Sequence, residues 1–232
     1  MALARVQASA KATQASATSI TFTMATPPTV GNGLLVFVHF FYSATPTLTC
    51  ADNRGNAYTL AVSQKLNTSN ARIYVCPIVT TSAAPFQITV SAPTGAIWWV
   101  AQAVEVSGVG SGLAIDKTIS ATGTSAAPAT GATAALTASE VVQAASHAIV
   151  VAQASITVVS ATPTWFEEFQ ELTLSFIAGE ANTRVVTSAT GTTPSCSWTD
   201  VSSGQWSAVL AAFSATAPAA VATAQPYVWG PI

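Results

Sequence analysis

Hydrophobic and polar positions alternate along much of the chain with a period of two. Ile20, Phe22 and Met24 alternate with Ser19, Thr21 and Thr23. Phe86, Ile88 and Val90 alternate in the same way with Gln87, Thr89 and Ser91. Successive side chains of a β-strand point to opposite faces, so this pattern predicts strands with one buried and one wet face. The run 34–42 is apolar apart from His39 and rich in β-branched and aromatic residues. It predicts a central strand covered on both faces. Further strands are predicted at 47–50, 58–62, 72–79, 97–106, 148–152, 172–177, 184–187 and 206–213.

Turn chemistry separates these segments. Pro27-Pro28 and Gly31-Asn32-Gly33 precede the central strand, and Asp52-Asn53-Arg54-Gly55-Asn56 reads as a hairpin connection with glycine at a positive φ. Thr137-Ala138-Ser139-Glu140 has the form of a helix capping box, whereas the apolar run after it favours a strand. A turn or short helix followed by a strand is expected there.

The stretch 108–133 is rich in Gly, Ser, Thr, Ala and Pro and reads as a long crossover inside one domain. The reason is an echo between the halves. Trp99–Val106 matches Trp206–Phe213 in length, and each is followed by serine. Thr45-Pro46-Thr47 recurs as Thr162-Pro163-Thr164. Two related half-sheets that cover each other's apolar strands make one sandwich. The predicted organisation is an N-terminal arm (1–15), an all-β, two-sheet antiparallel β-sandwich (16–215) and an extended C-terminal tail (216–232).

Composition sharpens this. Half of the 232 residues are apolar and 7% are charged, with net charge −2, against roughly 25% charged in an average soluble protein. The surface must be largely Ala, Thr, Ser and Gly, without the charge that keeps monomers apart. Coverage by neighbours is expected, with a dimer or trimer as the natural state. Arg5, Lys11, Arg54, Lys65, Arg72, Lys117 and Arg184 are scattered, so no nucleic-acid partner is expected. The longest apolar run falls far short of the roughly 20 residues of a membrane helix. The first residues contain no apolar leader segment, so synthesis in a host cytoplasm is expected. Cys50, Cys76 and Cys196 show no CxxC spacing and predict neither a disulfide framework nor a zinc site. No cofactor and no metal are expected.

Candidate chemistry is sparse. His39 sits in an apolar run and His147 in an Ala-rich one, with no GxSxG elbow. The densest acidic group is Glu167, Glu168 and Glu171 beside Trp165. Paired carboxylates with an aromatic platform are what sugar chemistry uses. On a regular strand Glu167 and Glu171 share a face with Phe169 and Glu168 points away. Asp52, Asn53 and Asn56 offer oxygen ligands, but without EF-hand spacing, and a hairpin turn accounts for them. Trp98 and Trp99 are adjacent and must face opposite sides, one to the core and one to a partner or a second sheet.

The Asp52–Tyr58 turn (D-x-x-G-N-x-Y) and the Glu105–Gly108 strand end (E-V-S-G) are the most recognisable pieces of a longer pattern over about 15–215. The pattern resembles lectin-like or jelly-roll β-sandwich domains of tailed-bacteriophage virion proteins. The resemblance implies fold more than function and offers no catalytic residues. It leads to the expectation of a non-enzymatic virion structural protein, a capsid decoration (cement) protein that binds and stabilises the head surface. Its partners would be the major capsid protein or other virion proteins. The alternative is a receptor- or glycan-binding module of a tail or fibre, with Trp165, Glu167 and Glu171 as the glycan site. The tail ends in Tyr227, Val228 and Trp229, candidate anchors on a neighbouring subunit or on the chain's own sandwich.

Overall fold

The computed structural model describes residues 2–93, 95, 97–159, 164–172 and 176–216. Its first half contains β1 (Ala4–Ala8), β2 (Ala12–Ala17), β3 (Ser19–Thr23), β4 (Gly33–Phe41), β5 (Thr49–Asp52), β6 (Thr59–Leu66), β7 (Ser69–Cys76), β8 (Gln87–Ser91) and β9 (Ile97–Ser107). The second half contains β10 (Leu113–Gly123), β11 (Val141–Ile149), β12 (Ile156–Val158), β13 (Phe166–Glu171), β14 (Ala178–Val186), β15 (Trp198–Asp200) and β16 (Trp206–Ala215). The described residues contain no helix, so none crosses a membrane as one. The chain is an all-β antiparallel sandwich.

The strands form four layers. A three-stranded sheet (β3-β8-β5) packs on a six-stranded sheet (β1-β9-β4-β7-β6, with β2 also on β9) through Phe22, Val36, Phe40, Ile88 and Trp99. The other face of the six-stranded sheet packs on a five-stranded sheet (β10-β16-β11-β14-β13) through Leu35, Phe37, Ile73, Phe169 and Phe213. The five-stranded sheet carries on its far side a two-stranded sheet (β12-β15), joined by Ile149, Ile156, Leu210 and Trp198. The alternation along β4 explains the sharing. Leu34, Val36 and Val38 face one core while Leu35 and Phe37 face the other, as a period of two requires.

The two halves repeat one plan. The large sheets place their strands in the same order, with β1 matching β10, β9 matching β16, β4 matching β11, β7 matching β14 and β6 matching β13. Trp99 and Trp206 each face the small sheet of their own half. Aligning those two tryptophans carries the match to the bulges. β1 is bulged between Arg5 and Gln7, opposite Val106 and Glu105, and β10 between Ile115 and Lys117, opposite Phe213 and Ala212. β6 is bulged between Leu60 and Val62, and β13 at the matching place between Glu167 and Phe169. A bulge twists an edge away from further pairing. Irregularity at these outer strands therefore protects a nearly uncharged molecule from edge-to-edge association.

Several expectations are corrected. Within the expected arm 1–15, the described residues Ala4–Ala8 and Ala12–Ala17 are strands that pair with β9. Their Ala/Ser/Gln composition hides a strand that buries only Leu3 and Ser9 deeply. The supposed crossover 108–133 contains β10, an eleven-residue strand on β16. β11 begins at Val141 rather than 148, directly after a bend at 138–140. Of the strand expected at 172–177, residues 173–175 lie outside the described residues; β13 ends just before it at Glu171 and β14 begins just after it at Ala178. The tail from 217 onward, with Tyr227, Val228 and Trp229, lies outside the described residues.

Candidate functional site

The bulge at Glu168 decides what the glutamates do. The extra residue reverses the expected facing, so Glu168, Phe169 and Glu171 turn toward the first half. Arg5 Nε lies 2.8 Å from Glu168 Oε1, and Arg5 Nη2 donates to Oε2 at 2.9 Å. Thr183 Oγ1 also donates to Glu168. Lys11 Nζ lies 2.8 Å from Glu171 Oε2. Glu167 is left exposed on the opposite face. Trp165 is 5% exposed, with the Arg184 guanidinium 4.2 Å from the centre of its ring. No sugar can stack on that ring as it stands. The proposed glycan triplet is therefore not assembled: Trp165 is in a core, Glu171 is in the seam between halves, and Glu167 alone faces solvent.

The histidines are closed off as well. His39 Nε2 bonds Ser146 Oγ across the two large sheets. His147 Nε2 meets Asp200 Oδ1 at 3.1 Å on the other face of β11, inside the second half. All four side chains are buried. Ser146 and His147 are neighbours on one strand and so point to opposite faces. A Ser-His pair and a His-Asp pair exist, but the strand separates them, and no Ser-His-Asp relay runs through them. Burial, aided by the nearby His147, lowers the His39 pKa to about 3, which leaves the ring neutral at physiological pH.

The motifs behind the resemblance are locks. Asp52 Oδ1 accepts from the backbone N–H groups of Arg54 and Asn56, and Oδ2 accepts from Asn56 Nδ2 and the Tyr58 hydroxyl. Asn56 Oδ1 in turn accepts from the N–H groups of Thr80 and Thr81. These oxygens close a turn, which leaves the cluster committed to the fold. Glu105 holds the Thr29–Asn32 turn, accepting from Thr29 N at 2.8 Å and Asn32 Nδ2 at 2.6 Å. Gly108 has φ +76°, and a Cβ there would lie 2.0 Å from Ala2 O. Among the described residues no cluster of three His, Cys, Asp or Glu is arranged to hold a metal ion.

Two surface features remain. Trp99 fills the first half's core, while Trp98 turns to the seam and meets Phe41 (centroids 6.0 Å) and Phe176 of the second half (4.3 Å). Phe176 is 40% exposed. The matching positions in the register are Val150, Gln205 and Thr68, so the fold closes the equivalent place without aromatics. Sequence reasoning found Trp98 but missed Phe41 and Phe176, which tertiary packing alone brings together. The second feature is the outer face of the three-stranded sheet. Ser19, Ser91 and Thr49 form one cross-strand row, and Thr21, Thr89 and Ala51 the next. Thr21 and Thr89 hydroxyls bond at 2.9 Å. A cavity of about 290 Å³ opens at the end of this face, lined by Thr47, Thr49, Ser91, Ala92 and Pro93.

Comparison of the chain with family models, with curated proteins and with solved structures finds no match.

Proposed function

We propose that the chain is a non-enzymatic structural component of a tailed-phage virion, a decoration protein that docks on the head surface. The carrying observation is where the charge goes. Arg5, Lys11, Glu168 and Glu171 join the two halves, Arg72 holds Pro46 O, and Asp116 pairs with Lys117. What remains outside includes the hydroxyl rows of the three-stranded sheet, with no charged residue in them. Such a face suits a broad, neutral protein contact in which shape and hydrogen bonds give the specificity. The blunted sheet edges leave face docking as the mode of association. In each half the chain crosses more than once between a large and a small sheet, an order we read as jelly-roll-like. The partners would be the major capsid protein or other virion proteins, and the chain would assemble as a dimer or trimer on them.

Co-sedimentation of the purified protein with undecorated shells tests this. Saturable binding that Thr21→Glu and Thr89→Glu abolish supports it. Absence of binding, or binding untouched by both charges, refutes it. A second reading, a receptor- or glycan-binding module of a tail or fibre, draws on the half-exposed Phe41–Trp98–Phe176 cluster, which aromatic stacking would use. Glycan-array binding that Trp98→Ala removes would favour it.

A further inference from the structure

Glu180 on β14 is 1% exposed and lies in the core of the second half. Side-chain amides meet both of its oxygens: Asn182 Nδ2 donates to Oε1 at 2.6 Å, and Gln170 Nε2 to Oε2 at 3.0 Å. Each amide also holds one strand of the outer two-stranded sheet. Gln170 Nε2 donates to Ile156 O of β12 at 2.7 Å, and Trp198 Nε1 of β15 donates to Asn182 Oδ1 at 2.8 Å. The carboxyl group is thus one amide away from each strand of that layer.

The titratable surroundings favour the neutral form. Glu167 on β13 and Asp200 on β15 are the carboxylates whose charge acts on Glu180. His147, its cross-strand partner on β11, is bonded to Asp200 and packs on the Trp198 ring at 4.6 Å. Cys196 lies beside this core, and Arg184, farther along β14, is held by Gln143 and Trp165. We propose that Glu180 is a proton-linked latch: protonated, it keeps β12–β15 seated on the five-stranded sheet, and ionised, it lets that layer open to water.

The first half supplies an internal control. The register places Arg72, Val38 and Tyr74 where the second half has Glu180, His147 and Asn182. Arg72 donates to Pro46 O there and lies over the Phe40 ring, so the equivalent layer β3-β8-β5 has no such latch.

Burial pushes Glu180 up from 4.5 to about 7, and Glu167 and Asp200 add to this while the two amide bonds oppose it. In the opened layer the group returns to its ordinary value. The closed state therefore holds the extra proton between those two values. Opening becomes more frequent as pH rises through that window, by up to about tenfold per pH unit, and levels off above it.

Hydrogen exchange from pH 4.5 to 8.5, corrected for intrinsic rates, reads this opening. Protection at 156–158 and 198–200 is expected to fall across the window relative to that at 20–23 and 88–90, and Glu180→Gln is expected to make it flat. Flat protection in the parent protein, or an unchanged slope in Glu180→Gln, overturns the proposal. Carbon-13 NMR titration of the Glu180 carboxyl in the parent protein decides the matter if the variant fails to fold. A midpoint near 7 supports the latch, and one near 4.5 overturns it.

Discussion

Removing the Arg5 guanidinium tests whether the sparse charges hold the two halves together. The Glu168 side chain is fully buried and that of Arg5 is 27% exposed. Arg5→Met keeps the aliphatic stem but leaves a buried carboxylate with, among the described residues, the Thr183 hydroxyl as its remaining hydrogen-bond donor. Orphaning one partner of a fully buried pair costs about 3–5 kcal/mol. Partial exposure of Arg5 reduces this to about 2–3 kcal/mol. The lost contact with the Phe166 ring, at 4.1 Å, adds about 0.5–1 kcal/mol. The sum, about 3 kcal/mol, corresponds to a fall in Tm of about 6–12 °C for a chain of this size. Urea unfolding followed by tryptophan fluorescence and circular dichroism measures it, with an unchanged slope confirming a stability effect. The double variant Arg5→Met, Glu168→Met should recover much of the loss, because no charge is then left buried. Glu167→Gln should stay within about 0.5 kcal/mol. An Arg5→Met protein as stable as the parent, or a Glu167→Gln loss equal to that of Glu168→Gln, refutes the assignment of these glutamates to the seam.

His39 binds fewer protons folded than unfolded between about 3 and its ordinary 6.5, so its contribution is complete above 6.5 and is lost as pH falls through that window. His39→Gln should flatten the acid limb of a Tm-versus-pH curve. Glu180 acts in the opposite sense between 4.5 and about 7, so the parent protein should show a broad plateau between about 4.5 and 6.5, and a steep slope there contradicts it. Gly108→Ala meets both the left-handed backbone and the Ala2 carbonyl and should cost about 1–3 kcal/mol in urea unfolding. Asp52→Ala removes an acceptor of four hydrogen bonds and should cost about 2–4 kcal/mol, while added calcium should leave the Tm of the parent protein unchanged.

Strands whose apolar residues decide their burial were legible from composition. β3, β4, β8, β9 and β16 all follow from alternation or from an apolar run. β1, β2 and β10 did not, because outer strands of Ala, Ser, Thr and Gln bury little and look like linker. β11 was placed late because Gln143, Ser146 and His147 are polar yet buried, their partners lying on other strands. The candidate site failed at one residue: the bulge at Glu168 inverts a facing that a regular strand would have kept. Trp165 illustrates the other limit, since the guanidinium above its ring comes from Arg184 on the next strand. The echo between the halves was legible at Trp99 and Trp206, but the matching bulges, which leave no mark in composition, required the register.

Quantitative mass spectrometry of purified particles tests the proposed role most directly. A decoration protein should be present in hundreds of copies per particle and be released without loss of the shell. Absence from particles contradicts the role, and a copy number of a handful places the chain at the tail instead.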